Sequence, residues 1–283
     1  MARSSAARRQ DPPESHAPKS RPFLKWAGGK GQLLDQIRPL LPLRYRRYFE
    51  PFAGGAALFF SLRPRQALLA DVNAELIDCY LATRDDVDGV IEALGAHRYT
   101  AEAYYRVRAQ DRTTLPLAQR AARTIYLNKT GYNGLYRVNR AGKFNVPMGR
   151  YSNPLFCDPE NLNACSKALQ GVDLRVADFE DVASRAKAGD FVYFDPPYVP
   201  ISDSADFTSY VPGGFGADQQ RRLAAVFGRL TRRGVRAMLS NSDTPAVREL
   251  YRRFRIHRVL AARCINSRGS RRGKVGEVVV TNY

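Results

Sequence analysis

The sequence predicts an α/β fold, a mainly parallel sheet flanked by helices and interrupted by a long insertion. Three observations carry this. Residues 47–84 alternate as strand, turn, helix, strand, helix, the pattern of parallel pairing. Apolar strand patterns return at 189–194, 234–240 and 277–282, with a helical pattern at 218–232. Between these halves, 85–171 has a different texture: three helical patterns, then a stretch rich in Gly and Asn.

Taken in order, residues 1–20 are rich in Ser, Ala, Pro and charge and read as a disordered basic tail. Apolar positions at helical spacing cover 31–41 and stop near Pro42. Residues 47–52 read as a strand entering a turn at Gly54-Gly55, with a helix over 56–62. Residues 67–70 form a second short strand closed by Asp71, and 73–84 an amphipathic helix. Helices are expected at 87–94, 102–108 and 118–128, and Asn139–Gly142 suits the tip of a β-hairpin. At this length about 70–75% of the unfolded surface can be buried. A hydrophobic content of 44% supplies the core and excludes global disorder.

Charge points to a partner. Lys and Arg number 45 against 27 Asp and Glu, a net +18, and so basic a chain suits a polyanion. Residues 119–151 carry Arg120, Arg123, Lys129, Arg137, Arg140, Lys143 and Arg150 and no acid. A second basic cluster covers 229–274. Within it Arg232, Arg233, Arg252 and Arg253 read as solvated helix surface, and 266–274 as a loop near the polyanion.

Other classes drop out. No apolar run reaches the ~18 residues of a membrane span, and the N-terminus lacks the apolar core of a secretory signal. Four cysteines without a CxxC pair suit a reduced, cytoplasmic chain. Three histidines form neither HExxH nor the deaminase signature, so no metal is expected.

Three motifs carry chemistry. Glu50-Pro51-Phe52-Ala53-Gly54-Gly55-Ala56 lies between strand and helix, where small residues let backbone N–H groups approach a ligand. Asp71, closing the next strand, can bind ribose hydroxyls. Alone, this is equally a structural turn, and the absence of GxGxxG disfavours a nicotinamide cofactor. Gly28-Gly29-Lys30-Gly31 looks like a phosphate loop, but Leu24 and Gly31 stand where that loop needs Gly and Ser or Thr. Asp195-Pro196-Pro197-Tyr198 follows the strand FVYF. Such a corner suits a planar exocyclic amine: the Asp195 side chain and the Pro196 carbonyl accept from it, the prolines stiffen the backbone, and Tyr198 offers a stacking face.

In this order Phe23–Lys30 (FLKWAGGK), Glu50–Gly55, Asp71-Val72-Asn73, 128–151 and Asp195–Tyr198 resemble the Dam/DpnM-type (D12 class, alpha group) DNA adenine-N6 methyltransferases, over about 21–283. The resemblance implies a Rossmann-like S-adenosylmethionine-dependent methyltransferase sheet, built from 21–84 and 172–283. It makes 85–171 an inserted target-recognition domain of helices and a β-hairpin. It implies methyl transfer from S-adenosylmethionine to adenine N6 in double-stranded DNA, by base flipping, at GATC.

Residue by residue, the resemblance assigns catalysis to Asp195, Pro196 and Tyr198. Cofactor binding goes to Trp26, Lys30, Phe52, Gly54, Asp71 and Asp195, with Asp178-Phe179 lining the cofactor adenine. It assigns DNA contact to Lys25, Tyr132, Asn133, Leu135, Arg137 and Pro147. Arginine suits guanine because its fork donates to O6 and N7 together. Arg140, Lys143 and Arg150 are expected at phosphates or in solvent, and Phe207–Tyr210 in a loop over the active-site mouth. Ala56 departs from the pattern, which has Gly there, and alanine resists positive φ.

The implied enzyme acts as a monomer, without metal or membrane, in the cytoplasm and on the nucleoid. A restriction partner, a phage origin and a role in mismatch repair all remain open. RNA amine methylation and DNA binding without catalysis are the competing readings. The hairpin speaks against the first, the intact DPPY and KWAGGK against the second.

Overall fold

The computed structural model describes residues 20–199, 215–262 and 274–283. The expected tail, the 207–210 segment and the 266–273 loop fall outside them.

Seven strands form one sheet in the order β3-β2-β1-β4-β5-β7-β6. They are β1 (Tyr48–Glu50), β2 (Ala67–Asp71), β3 (Asp173–Val176), β4 (Phe191–Phe194), β5 (Arg236–Ser242), β6 (Arg255–Ala262) and β7 (Lys274–Thr281). Strands β1 to β5 run parallel, and β7 inserts antiparallel between β5 and β6. Strands β3 and β6 escape the sequence reading because both are edges. Edge strands carry polar and charged residues that blunt the apolar signal; β3 reads DLRV and β6 begins RIHR.

Strand order reverses between β1 and β4. In open α/β sheets ligands bind outside the carboxyl ends of the strands at that reversal. Here those ends carry Glu50 and the Asp195 tetrad. Side chains alternate between two apolar layers. Tyr48, Leu69, Tyr193, Met238 and Val279 face one, and Phe49, Leu68, Phe194, Leu239 and Val280 the other. All four residues of β4 are buried, as a central parallel strand requires.

The first layer is covered by α1 (Leu34–Ile37), α2 (Ala57–Leu62) and α3 (Ala74–Asp85). The single helix expected over 31–41 is instead α1 between two 3-10 turns, Lys30–Leu33 and Arg38–Leu40. Pro39 has no N–H for an i−4 bond, so the helix cannot run on. Helix α3 starts where Asn73 accepts from the N–H groups of Glu75 and Leu76 at 3.0 and 3.3 Å, a side-chain cap.

Between α3 and β3 the chain adds α4 (Val87–Gly95), α5 (Ala101–Ala109), α6 (Leu117–Thr130) and α7 (Pro159–Leu169). Leu76 and Ile77 of α3, Leu94, Ile125 and Leu162 belong to one apolar cluster that reaches Tyr48 and Tyr193. After β3, helices α8 (Phe179–Ser184), α9 (Ala217–Arg232) and α10 (Pro245–Leu250) cover the second layer through Val182, Phe227 and Val247.

Residues 131–148 fold back in antiparallel fashion through the pairs Gly131↔Met148 and Val138↔Phe144. The tip is a turn in which Asn139 Oδ1 accepts from the N–H groups of Ala141 and Lys143, both at 3.0 Å. Tyr136, Phe144 and Val146 are buried, while Arg137, Lys143 and Pro147 face solvent.

Two details stand out. Ala56 adopts φ 50°, ψ 39° at the start of α2. The expected resistance of alanine to positive φ is therefore overcome by the surrounding turn, at a cost of about 1–2 kcal/mol. Asn128 is fully buried at the end of α6. It accepts from Lys25 N–H at 2.8 Å and donates to the carbonyls of Lys25 and Gly134 at 2.7 and 3.0 Å. One amide thus ties the N-terminal segment to the 131–148 excursion.

Replacing Asn128 with Ala leaves a backbone N–H and two carbonyls without that partner. At roughly 1–3 kcal/mol per buried unsatisfied group, Asn128→Ala should cost about 2–4 kcal/mol in urea unfolding. A loss below about 1 kcal/mol would show that the tie is not structural.

Candidate active site

The reversal between β1 and β4 is where the chemistry-bearing residues meet. Strand β4 ends at Phe194, and Asp195 follows directly. The Lys30 ammonium lies 2.7 Å from Asp195 Oδ1 and is only 4% exposed. It also donates to the Gly28 carbonyl and sits 4.6 Å from the centre of the Tyr198 ring, a cation–π contact. The FLKWAGGK segment turns at Trp26–Gly29, where Gly29 N–H donates to the Trp26 carbonyl at 3.0 Å and Gly28 takes φ 78°. That turn carries Lys30 into the strand ends.

The tetrad is anchored from α9 and β5. Gln220 donates to the Pro197 carbonyl at 2.9 Å, and Asn241 donates to Gln220 at 3.1 Å. Val199 N–H donates to Asn241 at 3.2 Å. The Tyr198 hydroxyl donates to Glu277 Oε2 at 2.7 Å.

The turn after β1 assembles a second group. Gly54 N–H donates to Asp71 Oδ2 at 3.2 Å, and Asn73 N–H to Asp71 Oδ1 at 3.0 Å. A Cβ on Gly54, at φ 47°, would lie 2.8 Å from Trp26 Cδ1, so the indole needs glycine there. Trp26 in turn stacks on Tyr136, with centroids 5.5 Å apart and planes at 28°.

Phe52 lies to the other side, stacked on Phe179 at 5.4 Å and edge-on to Phe194 and Phe215. The Asp178 carboxylate caps Glu180 N–H at 2.9 Å and pairs with Arg222 at 2.5 Å.

The site holds more buried acid than base. Burial pushes Glu50 up to about 8, against a hydrogen bond from the Tyr48 hydroxyl at 2.7 Å and with the nearby Asp195 charge adding to the rise. Burial lifts Asp71 to about 6 despite its two N–H bonds. Burial lifts Asp195 to about 6 against the pull of Lys30, with Glu277 adding to the rise. Lys30 acts on Asp195 and Glu50, while Asp71 is held by backbone N–H groups of the neighbouring Gly54 turn. Among the described residues no group of three or more His, Cys, Asp or Glu is arranged to hold a metal. No described helix is long and apolar enough to cross a membrane.

The family model for the D12 class N6 adenine-specific DNA methyltransferases matches residues 26–265. The chain belongs to this family. The D12-class chain is 45% identical over 271 residues to a Type II methyltransferase, M1.LlaDCHI, of Lactococcus lactis subsp. cremoris, covering 93% of this chain and 95% of that one. It is 42% identical to the Type II methyltransferase M.MjaIII of Methanocaldococcus jannaschii, covering 93% and 99%. It is 38% identical to the DNA adenine methylase of Escherichia coli K12, covering 92% and 95%. The protein is an adenine-specific DNA methyltransferase, as its sequence implies.

The structure brings the expected residues together in three groups: Lys30 with Asp195 and Tyr198, Trp26 with Gly54 and Asp71, and Phe52 with Phe179. Lys25, Tyr132, Asn133, Arg137 and Pro147 are exposed and Leu135 is half-buried. Arg137 is oriented by Asn145, its Nε donating to Oδ1 at 2.7 Å. Lys25 Nζ lies over the Tyr151 ring at 4.6 Å.

Part of the C-terminal positive charge is used internally. Arg229 pairs with Glu180, Arg248 with Asp243 at 2.6 Å, and Arg233 donates to the Ser184 and Ala186 carbonyls. Arg233 is therefore a tie to the end of α8, not simply solvated surface. Sequence reasoning missed the roles of Glu50, Gln220, Asn241 and Glu277. Glu50 stands inside a recognised motif without a role assigned to it, and Glu277 left a trace as an acid preceding the valine run of β7.

The raised Glu50 sets a stability test. Its folded value near 8 exceeds the ordinary glutamate value of 4.5, so the folded state holds this proton more tightly. Its stabilising contribution is full below about 4.5 and is lost as pH rises through about 8. Glu50→Gln should flatten the fall of Tm between about pH 5 and 8. An unchanged slope would show that Glu50 is ionised throughout.

Proposed function

We propose that this enzyme transfers the methyl group of S-adenosylmethionine to adenine N6 within GATC in duplex DNA, on a base flipped out of the helix. The observation that carries the reading is the buried Lys30–Asp195 pair beside Tyr198, at the sheet's reversal, in a chain of this family. The methyl donor supplies an electrophilic methyl on a sulfonium. Trp26, Lys30, Phe52, Gly54, Asp71 and Asp195 would hold it, with Asp195 and Asp71 the acids nearest its charge and its hydroxyls.

The chain's own residues do the rest. Asp195 and the Pro196 carbonyl accept from the adenine amine and turn its lone pair toward the donor. Tyr198 stacks on the base. Lys30 holds the Asp195 carboxylate in one place, and such positioning is a large share of rate enhancement. A base inside the stack cannot reach this corner, so flipping is required.

We read 85–171 as the target-recognition part. Arg137, pre-set by Asn145, would read guanine, with Lys25, Leu135 and Pro147 at neighbouring bases. Tyr132 and Asn133 would steady the opened duplex. One chain carries every residue named, so the monomer is the proposed active species.

Expression in a host lacking adenine methylation, followed by genome-wide mapping of N6-methyladenine, tests the reading. Methylation confined to GATC is expected; another motif would overturn the assignment of the base readers. Asp195→Ala should abolish turnover, and near-normal turnover would remove Asp195 from catalysis. Arg137→Ala should relax discrimination at one guanine by about 1–3 kcal/mol. Because only the carboxylate form of Asp195 is purely an acceptor, kcat should fall as pH drops through about 6, the raised value of that group. A flat profile down to pH 5 would contradict this role.

A further inference from the structure

We propose that Glu277 is a positioning residue of the amine pocket, its carboxylate fixing the Tyr198 ring from strand β7. The inference rests on the proposed role of the tetrad and adds to it a residue from outside every recognised motif.

The placement follows from the sheet. Strand β7 lies between β5 and β6, with Glu277 opposite Ser242 and Val259. Residues 277, 279 and 281 share a face, and Val279 packs in the layer that contains Tyr193. On that face the Tyr193 hydroxyl bonds Ser240 Oγ at 2.8 Å. The side chain of Glu277 therefore leaves the sheet on the Tyr193 side, next to the strand end that carries Asp195. The Tyr198 hydroxyl closes the connection at 2.7 Å from Glu277 Oε2.

The pair does something the tetrad cannot do alone. Pro196 and Pro197 stiffen the backbone but leave the tyrosine free about its side-chain torsions. The ring is instead held at two points, by the Lys30 ammonium against its face and by Glu277 at its hydroxyl. Two fixed points orient the ring plane before a base arrives. Holding a reacting group in orientation lowers the barrier, and small misplacements are costly.

Among the described residues Glu277 has Tyr198 as its hydrogen-bond partner, and it lies beside Asp195, whose carboxyl it pushes further up. Such an arrangement is unfavourable for folding and is retained at sites that use it.

Among the described residues, the groups facing Asp195 are Lys30, Glu277, Glu50 and the hydroxyls of Tyr193 and Tyr198. Of these, Glu277 raises Asp195, so removing its charge should lower the pH at which Asp195 loses its proton. Removing the Tyr198 hydroxyl leaves that charge in place. The two partners are thus separable by pH profile.

The test uses the full-length enzyme with duplex GATC DNA and an RNA hairpin of the same core, each as methyl acceptor. Wild type, Glu277→Gln, Glu277→Ala, Tyr198→Phe and the Glu277→Ala/Tyr198→Phe double variant are compared from pH 5 to 9. Glu277→Ala should lower kcat by about 10–100-fold with KM for DNA changed less than about 3-fold. Tyr198→Phe should lower kcat similarly, and the double variant should be no worse than the poorer single variant. Glu277→Gln, whose amide oxygen still accepts from the hydroxyl, should recover most of kcat at pH 8 and move the acid limb to lower pH. Tyr198→Phe should leave that limb where it is.

Full additivity in the double variant, or a Glu277→Gln profile that overlays wild type while Glu277→Ala keeps full kcat, would overturn the inference. If Glu277→Ala fails to fold, Tyr198→Phe, which removes the same hydrogen bond from the tyrosine side, decides: full kcat in that variant would overturn the inference. Wild type that methylates RNA instead would sink the DNA reading but leave the Glu277 role measurable, because the tetrad acts on any planar amine. Wild type inert on both would sink the two together.

Discussion

The site depends on one buried ion pair. Lys30 and Asp195 come from segments 165 residues apart, the N-terminal turn and the end of β4. Taking two charges out of water costs several kcal/mol per ion, and attraction returns this only when geometry and extra hydrogen bonds are good. The ammonium meets those conditions, with a carboxylate, a carbonyl and an aromatic face around it. Glu50 has the Tyr48 hydroxyl and Asp71 two backbone N–H groups, yet burial still pushes both toward the protonated form.

The insertion is continuous with this pocket, not hung from it. Its helices share an apolar cluster with the sheet. Two small contacts connect the 131–148 excursion to the N-terminal motif: the Trp26–Tyr136 stack and the Asn128 amide. Tyr136 lies between Leu135 and Arg137, the proposed base readers, and its ring rests on the indole that covers Gly54. The proposed reading segment and the Gly54 turn therefore share one ring pair.

Much of the site was legible before the fold. DPPY and EPFAGG each carry a residue whose chemistry is readable from type alone, an acceptor and a glycine turn; the burial of Lys30 is not, because a lysine reads as solvated charge until the fold encloses it. The helix read over 73–84 and the strand read over 189–194 were legible from local pattern, since helical periodicity and buried parallel strands are near-neighbour effects. The broken helix at 31–41 was not, because apolar spacing continued through Pro39. Ala56 went the other way. Local preference argued against positive φ, yet the turn, closed by the Ala56 N–H on the Ala53 carbonyl at 2.6 Å, holds Ala56 at φ 50°.

The sequence by itself determined the class of chemistry, the parallel core and the basic character of the molecule, because these rest on residue type and short-range periodicity. Only the tertiary structure decided which acids share a pocket, that Phe52 turns to Phe179 and away from Trp26, that Arg233 is a tie, and that Glu277 reaches Tyr198. Each of these depends on strand order. The placement of β7 beside β5 is a long-range pairing, and no local pattern along the chain records which side chains it brings within 3 Å of one another.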